Sequence, residues 1–424
     1  MIEIKAKKNT AKVFVNELDK QTKLQIGATA RDPAYADAKI RVMPDTHAGR
    51  GCVIGMTMTL SGRVSPSLVG VDIGCGMEVV KLENEFIDLP TLDNFIHNNI
   101  PAGKHIFEIP QITSVPIHEL LCFSSVDLPR VQRSIGTLGG GNHFIEIDRD
   151  DEGALYLVIH SGSRSLGAAI ANHYRDEAYK KQLKKARKNR RADTRDYLDM
   201  ESAPYDLVRW EGDPDGDFND RRRGHHSHAS TTKASRRDDR DRLPVKWETA
   251  VCEGELYESY LHDLSIAVKY AEENRRRIAE SICNGLDLKV RERFSCVHNY
   301  IDEHSILRKG AISARQGERI FIPLNMRDGC LLGRGLGNPD WNFSAPHGAG
   351  RACSRTDAKH AYGVEDYQTV MKNAGVYTTT ANKETLDECP MAYKSPDRII
   401  PYLSECVEIE SRLKPIYNFK AGKE

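Results

Sequence analysis

The sequence predicts an α+β protein, one large domain of mixed, mainly antiparallel sheets with flanking helices and a charged surface insertion. Short apolar runs rich in Val, Ile, Met and Thr, broken by glycine turns, recur in the first 160 residues and again in the last third, which is typical of strands. Apolar residues of 254–283 recur at helical spacing, which predicts a long amphipathic helix.

The predicted elements follow one another along the chain. Strand-like runs lie at 52–60, 77–82, 154–160 and 321–323. A helix is expected to begin near Leu166 and to run to about residue 188, before the charged insertion. Glycine-rich loops between the elements carry the unusual residues, as expected where a rigid scaffold presents a functional site.

Residues 190–242 differ in composition from the rest of the chain. Apolar residues are too sparse here to offset the ordering entropy of a packed core, so we expect a mobile surface insertion within the domain. The run 213–220 resembles part of a calcium loop but has Gly224 where that loop needs a glutamate. The histidines within 225–228 could suggest a metal, but a solvated tether is the simpler interpretation.

Bulk composition argues against several classes of protein. The 61 basic and 61 acidic residues cancel, so the overall basic bias typical of nucleic-acid binding is absent, although a local basic channel stays open. No apolar stretch reaches the roughly 20 residues of a membrane helix, and the N-terminus shows no signal peptide. The ten cysteines lack CxxC spacing, which disfavours a disulfide framework. We expect a cytoplasmic protein without a membrane partner.

Residues 71–76, VDIGCG, place Asp72 and Cys75 three apart within glycines that allow sharp turns. A carboxylate and a thiolate are a plausible metal pair, and a thiolate can bridge two ions. A glycine turn with a buried thiol explains the same residues, and on this segment alone it is the better interpretation.

Two further segments carry histidines beside glycine-rich loops. Three consecutive glycines precede Asn142 and His143, and their backbone N–H groups suit an anion, although no Walker lysine follows. His160 ends a strand-like run and opens the loop SGSRSLG. A flexible turn in the first case and a satisfied core histidine in the second are equally good explanations.

Two histidines lie in the last third of the chain. His298 follows another short apolar run, and His347 lies among small residues that leave an imidazole accessible. Arg351, four residues on, could clamp a phosphate through two N–H groups. Taken together, the histidines join the earlier pair in one mixed O/S/N ligand set: Asp72, Cys75, His143, His160 and His298. Such a set favours a first-row transition metal over calcium or magnesium; one zinc ion or a pair of ions both fit it.

Several segments, in order, resemble the RtcB family of RNA ligases. They are MPDTHAGRGCVIG (43–55), VGVDIGCGMEVVKL (69–82), GTLGGGNHFIEI (136–147), VIHSGSRSLG (158–167), CVHNYI (296–301), PHGAGR (346–351) and KPIYNFKAG (414–422). The resemblance covers essentially the whole chain except about 190–242. It implies that residues 1–424 form one RtcB-like ligase domain that contains the insertion.

The resemblance implies a GTP-dependent ligase that joins RNA 3′-phosphate or 2′,3′-cyclic phosphate ends to 5′-hydroxyl ends, in RNA repair or tRNA splicing. His347 matches the histidine that becomes guanylylated. Two manganese ions are implied: one on Cys75, His160 and His298, the other on Asp72, Cys75 and His143. An archease-type activator is a further partner that the family suggests.

The resemblance also implies a nucleotide site. Asn142 matches a phosphate-contacting asparagine, and the other matched positions hold or line the guanine: Phe144, Glu146, Tyr393 and Lys420. Asn325 and Cys330 stand in a loop where the family often has serines, which leaves the guanine contacts of that loop open because a thiol is a poor hydrogen-bond partner. Arg351 is grouped with the nucleotide site as the phosphate clamp. Two alternatives stay open: a metal-dependent cyclic phosphoesterase without ligation, and a catalytically idle RNA-binding protein.

Overall fold

The computed structural model of the protein describes residues 1–7, 9–192 and 246–422, with the side chains of 187–192 not described. It contains two large sheets, two small ones and eight helices within those ranges. The fold is the predicted mixture of α and β elements with mainly antiparallel sheets. From residue 193 onward, the predicted insertion lies outside the described residues.

The larger sheet has seven strands, and all of its neighbours pair antiparallel. In spatial order the strands are β10 (Val290–Val297), β6 (Gly76–Leu82), β8 (Leu155–Ser161), β7 (Phe144–Arg149), β17 (Val407–Lys420), β15 (Gly329–Gly335) and β14 (Arg319–Asn325). The predicted strand runs at 77–82, 154–160 and 321–323 all fall in this sheet.

The second sheet has six strands, of which only the pair β2 and β3 is parallel. In spatial order they are β1 (Ile2–Lys5), β2 (Thr10–Val13), β3 (Ile40–His47), β4 (Ile54–Thr59), β12 (Ile306–Lys309) and β11 (Asn299–Ile301). Two short pairs complete the β structure: β5 (Arg63–Val64) with β9 (Cys252–Glu253), and β13 (Ala311–Ser313) with β16 (Ser344–Pro346).

The eight helices differ greatly in length. They are α1 (Lys20–Arg31), α2 (Leu89–Asn99), α3 (Leu128–Ser134), α4 (Arg164–Ala192), α5 (Glu255–Gly285), α6 (Arg355–Ala361), α7 (Val364–Asn373) and α8 (Ile400–Leu403). The helix predicted over 254–283 is α5, whose buried stripe packs on the larger sheet and on α4. Among the described helices, none is long and apolar enough to cross a membrane.

The core lies on both faces of the larger sheet, because side chains alternate along each strand. On β7, Ile145 and Ile147 face one way and pack with Ile278 and Ile282 of α5. Phe144 lies on the opposite face, in a second apolar cluster that contains Phe321 of β14. This second face carries the candidate site.

Two sequence expectations need correction. The first 160 residues contain α1, α2 and α3 in addition to the expected strands. These helices begin at aspartate caps whose side chains accept a backbone N–H, and two of the caps precede a Leu-Pro pair. The expected insertion also starts too early, since α4 runs to Ala192. Its last turns are rich in Lys and Arg, which are good helix formers.

Candidate active site

Four of the predicted metal ligands meet at one edge of the larger sheet. Strand β6 begins directly after Cys75 and β7 directly after His143, whereas His160 is the last but one residue of β8 and His298 directly follows β10. These strands are adjacent in the order β10-β6-β8-β7 and antiparallel. Two strand starts and two strand ends therefore coincide, which explains how residues far apart in sequence converge.

Glycines allow Cys75 to enter the sheet at this point. Gly74 has a φ of 73°, in the left-handed region that favours glycine. A Cβ at Gly76 would lie only 2.3 Å from the carbonyl oxygen of Cys296 on β10. The backbone N–H of His298 donates to the Cys75 carbonyl oxygen at 2.9 Å, which fixes the two ligands relative to one another. The glycines of VDIGCG thus serve the approach of two strands.

The ligand atoms lie within one small volume. Cys75 Sγ is 3.2 Å from His160 Nε2 and 3.5 Å from His143 Nε2. His160 Nε2 is 3.4 Å from His298 Nε2. His143 Nε2 is 3.0 Å from Asp72 Oδ2. Cys75, His160 and His298 form one set of mutually close donor atoms, and Asp72, Cys75 and His143 form another, with the sulfur shared.

Hydrogen bonds on the far side of two rings set their tautomers. His143 Nδ1 lies 2.8 Å from the Leu138 carbonyl oxygen, and His160 Nδ1 lies 3.0 Å from that of Asn142. A carbonyl can only accept, so each Nδ1 carries the proton and each Nε2 presents a lone pair. Both lone pairs face the Cys75 sulfur. This arrangement, with a backbone carbonyl orienting each imidazole, is typical of metal-binding histidines.

The electrostatics of the cluster suit a cation. Burial, with neighbouring His143 and His347 respectively, holds the pKa of His160 and of His298 well below its usual range, so both rings are neutral donors. Burial and the Asp72 carboxylate raise the pKa of the Cys75 thiol well above its usual value. Donor atoms 3.2–3.5 Å apart match the roughly 3.4 Å edge of a tetrahedron built on bonds of about 2.1 Å. The residues present therefore fit a metal ion.

His347 lies beside this cluster and is not part of either donor set. Its ring centroid is 4.8 Å from that of His298. Its Nδ1 is 2.7 Å from Oδ2 of Asp45, a fully buried residue of β3, and its backbone N–H donates to the same oxygen at 3.2 Å. Asp45 thus holds the Nδ1 proton and leaves Nε2 of a partly exposed imidazole with a free lone pair.

The positions matched to the guanine site lie together on the second face of the sheet. Phe144 and Glu146 follow His143 on β7, and the Lys420 ammonium lies 5.3 Å from the Phe144 ring centroid. Glu146 Oε2 accepts from Asn418 Nδ2 at 2.6 Å, and Oε1 accepts from Cys330 Sγ at 3.5 Å. Cys330 therefore contacts Glu146 although it is a thiol in place of a serine.

Lys420 is tied to a second buried carboxylate. Its Nζ lies 2.9 Å from Glu388 Oε2, which also accepts from the Tyr393 hydroxyl. Burial alone would raise the pKa of Glu388, but the surrounding cations Arg355, Lys420 and Arg351 hold it well below its usual range. Lys420, Tyr393 and Arg351, which the family resemblance assigns to a nucleotide site, thus form one internally paired network around Glu388.

Two predicted residues are engaged in ways that the sequence did not suggest. All three guanidinium nitrogens of Arg351 bond to protein groups, including Glu388 at 3.2 Å, so the arginine is not a free phosphate clamp. Asn325 accepts the backbone N–H groups of Arg327 and Asp328 within the β14–β15 hairpin turn. Asn142 is half-buried beside the metal cluster. The structure brings the remaining predicted residues together around the cluster or on the second sheet face.

Sequence reasoning missed several residues of the site. Asp45, Arg164 and Asn418 each lie inside a segment that carried the family resemblance, so the signal was present in the motif. Arg164 has a φ of 53° and donates to Thr137 Oγ1 at 3.2 Å, a strained backbone typical of a functional position. Burial alone would raise the pKa of Asp72, but the contacts with His143 and Cys75 and the nearby Arg164 guanidinium hold it below its usual range.

The fold and the site define a protein in which Cys, His and Asp side chains that could hold a metal ion converge next to an oriented histidine. A family model described as tRNA-splicing ligase RtcB matches residues 25–120, 115–206 and 225–421. The chain therefore belongs to the RtcB family. The matched ranges leave 207–224, within the predicted insertion, unmatched.

Named relatives match over most of their length. The chain is 28% identical to the RNA-splicing ligase RtcB of Escherichia coli (strain K12), over 92% of each chain. It is 24% identical to the tRNA-splicing ligase RtcB of Aeropyrum pernix, over 88% of this chain and 86% of the relative. It is 25% identical to the tRNA-splicing ligase RtcB of Nanoarchaeum equitans, with the same coverage.

Proposed function

We propose that this protein is an RNA ligase that uses GTP to join RNA 3′-phosphate or 2′,3′-cyclic phosphate ends to 5′-hydroxyl ends. The observation that carries the proposal is the His347 imidazole, oriented by buried Asp45 and placed 4.8 Å from the ring of a metal-type histidine. A nucleophile with its own orienting carboxylate is needed for covalent catalysis and has no use in a simple binding protein. The names of the relatives support the same class of reaction.

The first step would be attack of His347 Nε2 on the α-phosphorus of GTP. A phosphorus–nitrogen bond forms, the bond to the β-phosphate oxygen breaks, and pyrophosphate leaves. The positive charge that develops on the ring is stabilised by the Asp45 carboxylate, which holds the Nδ1 proton at 2.7 Å. A 2′,3′-cyclic phosphate end would first be hydrolysed to a 3′-phosphate.

The guanylate would then move from His347 to the RNA 3′-phosphate and regenerate the free imidazole. Attack of the RNA 5′-hydroxyl on the activated phosphate forms the new phosphodiester and releases GMP. Asn142, whose carbonyl oxygen accepts from His160 Nδ1, and Arg164, whose charge acts on Asp72, would orient phosphate oxygens.

Two manganese ions are the metals we propose for the cluster. Cys75, His160 and His298 would hold one, and Asp72, Cys75 and His143 the other. Bound there, the ions would supply positive charge to the phosphate oxygens. The chain's own contribution is the fixed Nδ1 proton of His143 and of His160 and the buried sulfur that both sets share.

The base of the nucleotide would lie on the second sheet face. Glu146 would accept the N1–H and 2-amino hydrogens of guanine, with Cys330 and Asn418 behind it. Phe144 and Tyr393 would line the pocket. Lys420 would exchange part of its contact with Glu388 for the nucleotide.

Other parts of the proposal come from the family resemblance alone. These are a role in RNA repair or tRNA splicing, an archease-type activator, and a cytoplasmic location. The charged segment 190–242 is proposed as a mobile insertion in the single ligase domain.

One experiment separates ligase from phosphoesterase and from binding protein. The purified protein is incubated with Mn²⁺, α-labelled GTP and a cleaved RNA with a 2′,3′-cyclic phosphate and a 5′-hydroxyl. Covalent label and a joined RNA support the ligase. Opening of the cyclic phosphate without label would replace it with the phosphoesterase, and RNA binding alone would replace it with the idle protein.

A further inference from the structure

A second carboxyl group, that of Asp148, lies two residues after Glu146 on strand β7. The two residues are i and i+2 on β7 and therefore share a sheet face, on which Phe144 also lies. Glu146 is 2% exposed and Asp148 is 0% exposed. The rest of this face is an apolar cluster that includes Val158 and Cys330. Two buried carboxyl groups in such surroundings require an explanation.

The two carboxyl groups differ in the hydrogen-bond donors that surround them. Carboxyl oxygens of Glu146 and Asp148 and the Cys330 sulfur lie within 4.8 Å of one another. Glu146 accepts hydrogen bonds on both oxygens, from Asn418 and from Cys330. Neither oxygen of Asp148 accepts an N–H within the described residues, and the polar groups in its reach are the Glu146 carboxyl group and the Cys330 thiol. An ionised Asp148 would thus be a buried charge with only a weak thiol donor beside it.

The groups that face the pair do not neutralise Asp148. On β17, Pro415 lies opposite Asp148, and the Lys420 ammonium acts on Glu146. On β8, Tyr156 lies opposite Asp148, but its hydroxyl donates to Asp150 at 3.1 Å. On β15, Cys330 is a thiol whose pKa burial raises well above its usual value.

These contacts assign one proton to the carboxyl pair. Burial and the neighbouring Glu146 charge raise the pKa of Asp148 well above its usual range. Two carboxyl groups this close cannot both be ionised without a large penalty, so they share a proton. The partner with donors keeps the negative charge, which places the charge on Glu146 and the proton on Asp148.

We propose that Asp148 is a specificity-determining positioning residue: as a neutral acid it donates its O–H to Glu146 and keeps that carboxylate an acceptor for the guanine edge. The inference depends on the proposed guanine site at Glu146. Without this donor, buried Glu146 would take up the proton itself and turn an O–H toward the N–H donors of guanine. Cys330 is a weak donor, so Asp148 supplies the stronger support.

Two substitutions of Asp148 test the proton donation. The Asp148→Asn side chain is neutral, nearly isosteric and can still donate an N–H to Glu146, so it should keep the GTP preference. The Asp148→Leu side chain suits the apolar face but cannot donate. We expect it to raise the KM for GTP in covalent labelling by about ten- to a hundredfold. The maximal labelling rate should stay near that of the wild type, because His347 and the metal cluster are untouched.

Tyr156→Phe is the matched control, because it removes a hydroxyl from the residue opposite Asp148 and leaves Glu146 alone. Its GTP preference should equal that of the wild type. A Leu variant that folds, with an unchanged melting temperature, and still shows wild-type KM values for GTP and ATP would overturn the proposal. Loss of GTP preference in the Asn variant as severe as in the Leu variant would also overturn it, since a required negative charge would indicate a bound cation.

A spectroscopic measurement tests the proton without GTP. The infrared difference spectrum of wild type minus Asp148→Asn should show a protonated carboxylic acid at neutral pH. Selective ¹³C-aspartate labelling should shift that band. No carboxylic acid band, or a band that ¹³C-aspartate does not shift, would contradict the assignment. A zinc ion bound at Glu146, Asp148 and Cys330 would also contradict the assignment. Such an ion would be retained by a Cys75→Ala protein and lost on Asp148→Asn substitution.

The two proposals can fail separately. If wild-type protein with Mn²⁺ and GTP gives no covalent label while the ¹³C-sensitive band is present, the proton assignment stands and the guanylylation mechanism fails. If labelling is normal but the band is absent, the role of Asp148 fails and the proposed function stands.

Discussion

The two halves of the candidate site are prepared for their ligands in opposite ways. In the metal cluster, the Cys75 sulfur lies 3.2–3.5 Å from Nε2 of His143 and of His160, so a single thiol faces two ring nitrogens. In the proposed guanine site, donors and acceptors are already paired, as with Lys420 and Glu388 at 2.9 Å. We expect the cluster to bind an external cation through these atoms, whereas the proposed guanine site would exchange internal bonds for those of a nucleotide.

This difference predicts which part of the candidate site tolerates substitution. We expect the replacement of any ligand of the cluster to weaken binding of the cation that the other ligands would hold. A pocket residue such as Glu146 belongs to a network with several members, so its loss changes selectivity before it changes chemistry. We therefore expect the largest effects at the cluster and graded effects at the pocket.

The largest effect is expected for Cys75→Ala. The substitution removes the one sulfur that both donor sets share, so the protein should lose most of its bound metal at both positions. GTP labelling should fall by more than about a hundredfold, since even residues that merely support metal ligands contribute 10–100-fold. Metal analysis and labelling of the same preparation check this. Cys283→Ala, a buried cysteine of α5 away from the site, is the control. Two retained ions with normal turnover would refute the shared sulfur.

Asp45→Asn should have a large effect of a different kind. An amide can donate to His347 Nδ1 and stabilise the wrong tautomer, so labelling should fall on the order of 10²–10⁴-fold with metal content unchanged. The control is Asp88→Asn at the α2 cap, where asparagine caps equally well. Equal labelling rates in the two variants would show that Asp45 has no role in the labelling reaction.

Glu146→Ala should affect selectivity more than chemistry. Guanine offers two donors to this carboxylate, and each buried group left unpaired costs about 1–3 kcal/mol. The preference for GTP over ATP should therefore narrow by as much as about a thousandfold, with both ions retained. Labelling with each nucleotide measures it, and Glu85→Ala at an exposed position is the control. Wild-type selectivity in the Glu146 variant would move the guanine contact to Lys420 or to the loop of Asn325 and Cys330.

The smallest effect is expected from replacing residues 191–242 by a short flexible linker. The entropy of loop closure changes slowly with length, so folding and GTP labelling should remain within about twofold of the wild type. RNA affinity is measured at two salt concentrations, and any loss should shrink at high salt because it would come from basic residues. A variant that fails to fold would show that the segment is structural.

The sequence predicted the metal side of the site better than the base side. Cys75 and the histidines are rare residues in glycine-rich motifs, and strand ends bring them together regardless of the intervening chain. Asp148 gave no such signal, because an aspartate two residues after Glu146 in a strand is typical of a solvent-facing position. Only the packing of β14 and β15 over this face shows that it is buried.

The secondary structure, like the site, could be predicted from the sequence only in part. The helix predicted over 254–283 is observed at Glu255–Gly285 because its apolar stripe is long enough to be unambiguous. Helices α1 to α3 have 12 residues or fewer, which is too short for an apolar pattern to be decisive, and the aspartate at each N-cap is their clearest local signal. Local signals thus mark where short helices begin, while their existence depends on packing against the sheets.

The identity of the residue that carries GMP tests the central claim most directly. Wild-type protein is incubated with Mn²⁺ and GTP, digested under conditions that preserve phosphorus–nitrogen bonds, and analysed by mass spectrometry. We predict one guanylylated peptide with the modification on His347, and no such peptide from His347→Ala protein with a wild-type metal content. GMP on another residue, or an unmodified His347 in protein that still ligates RNA, would contradict the account.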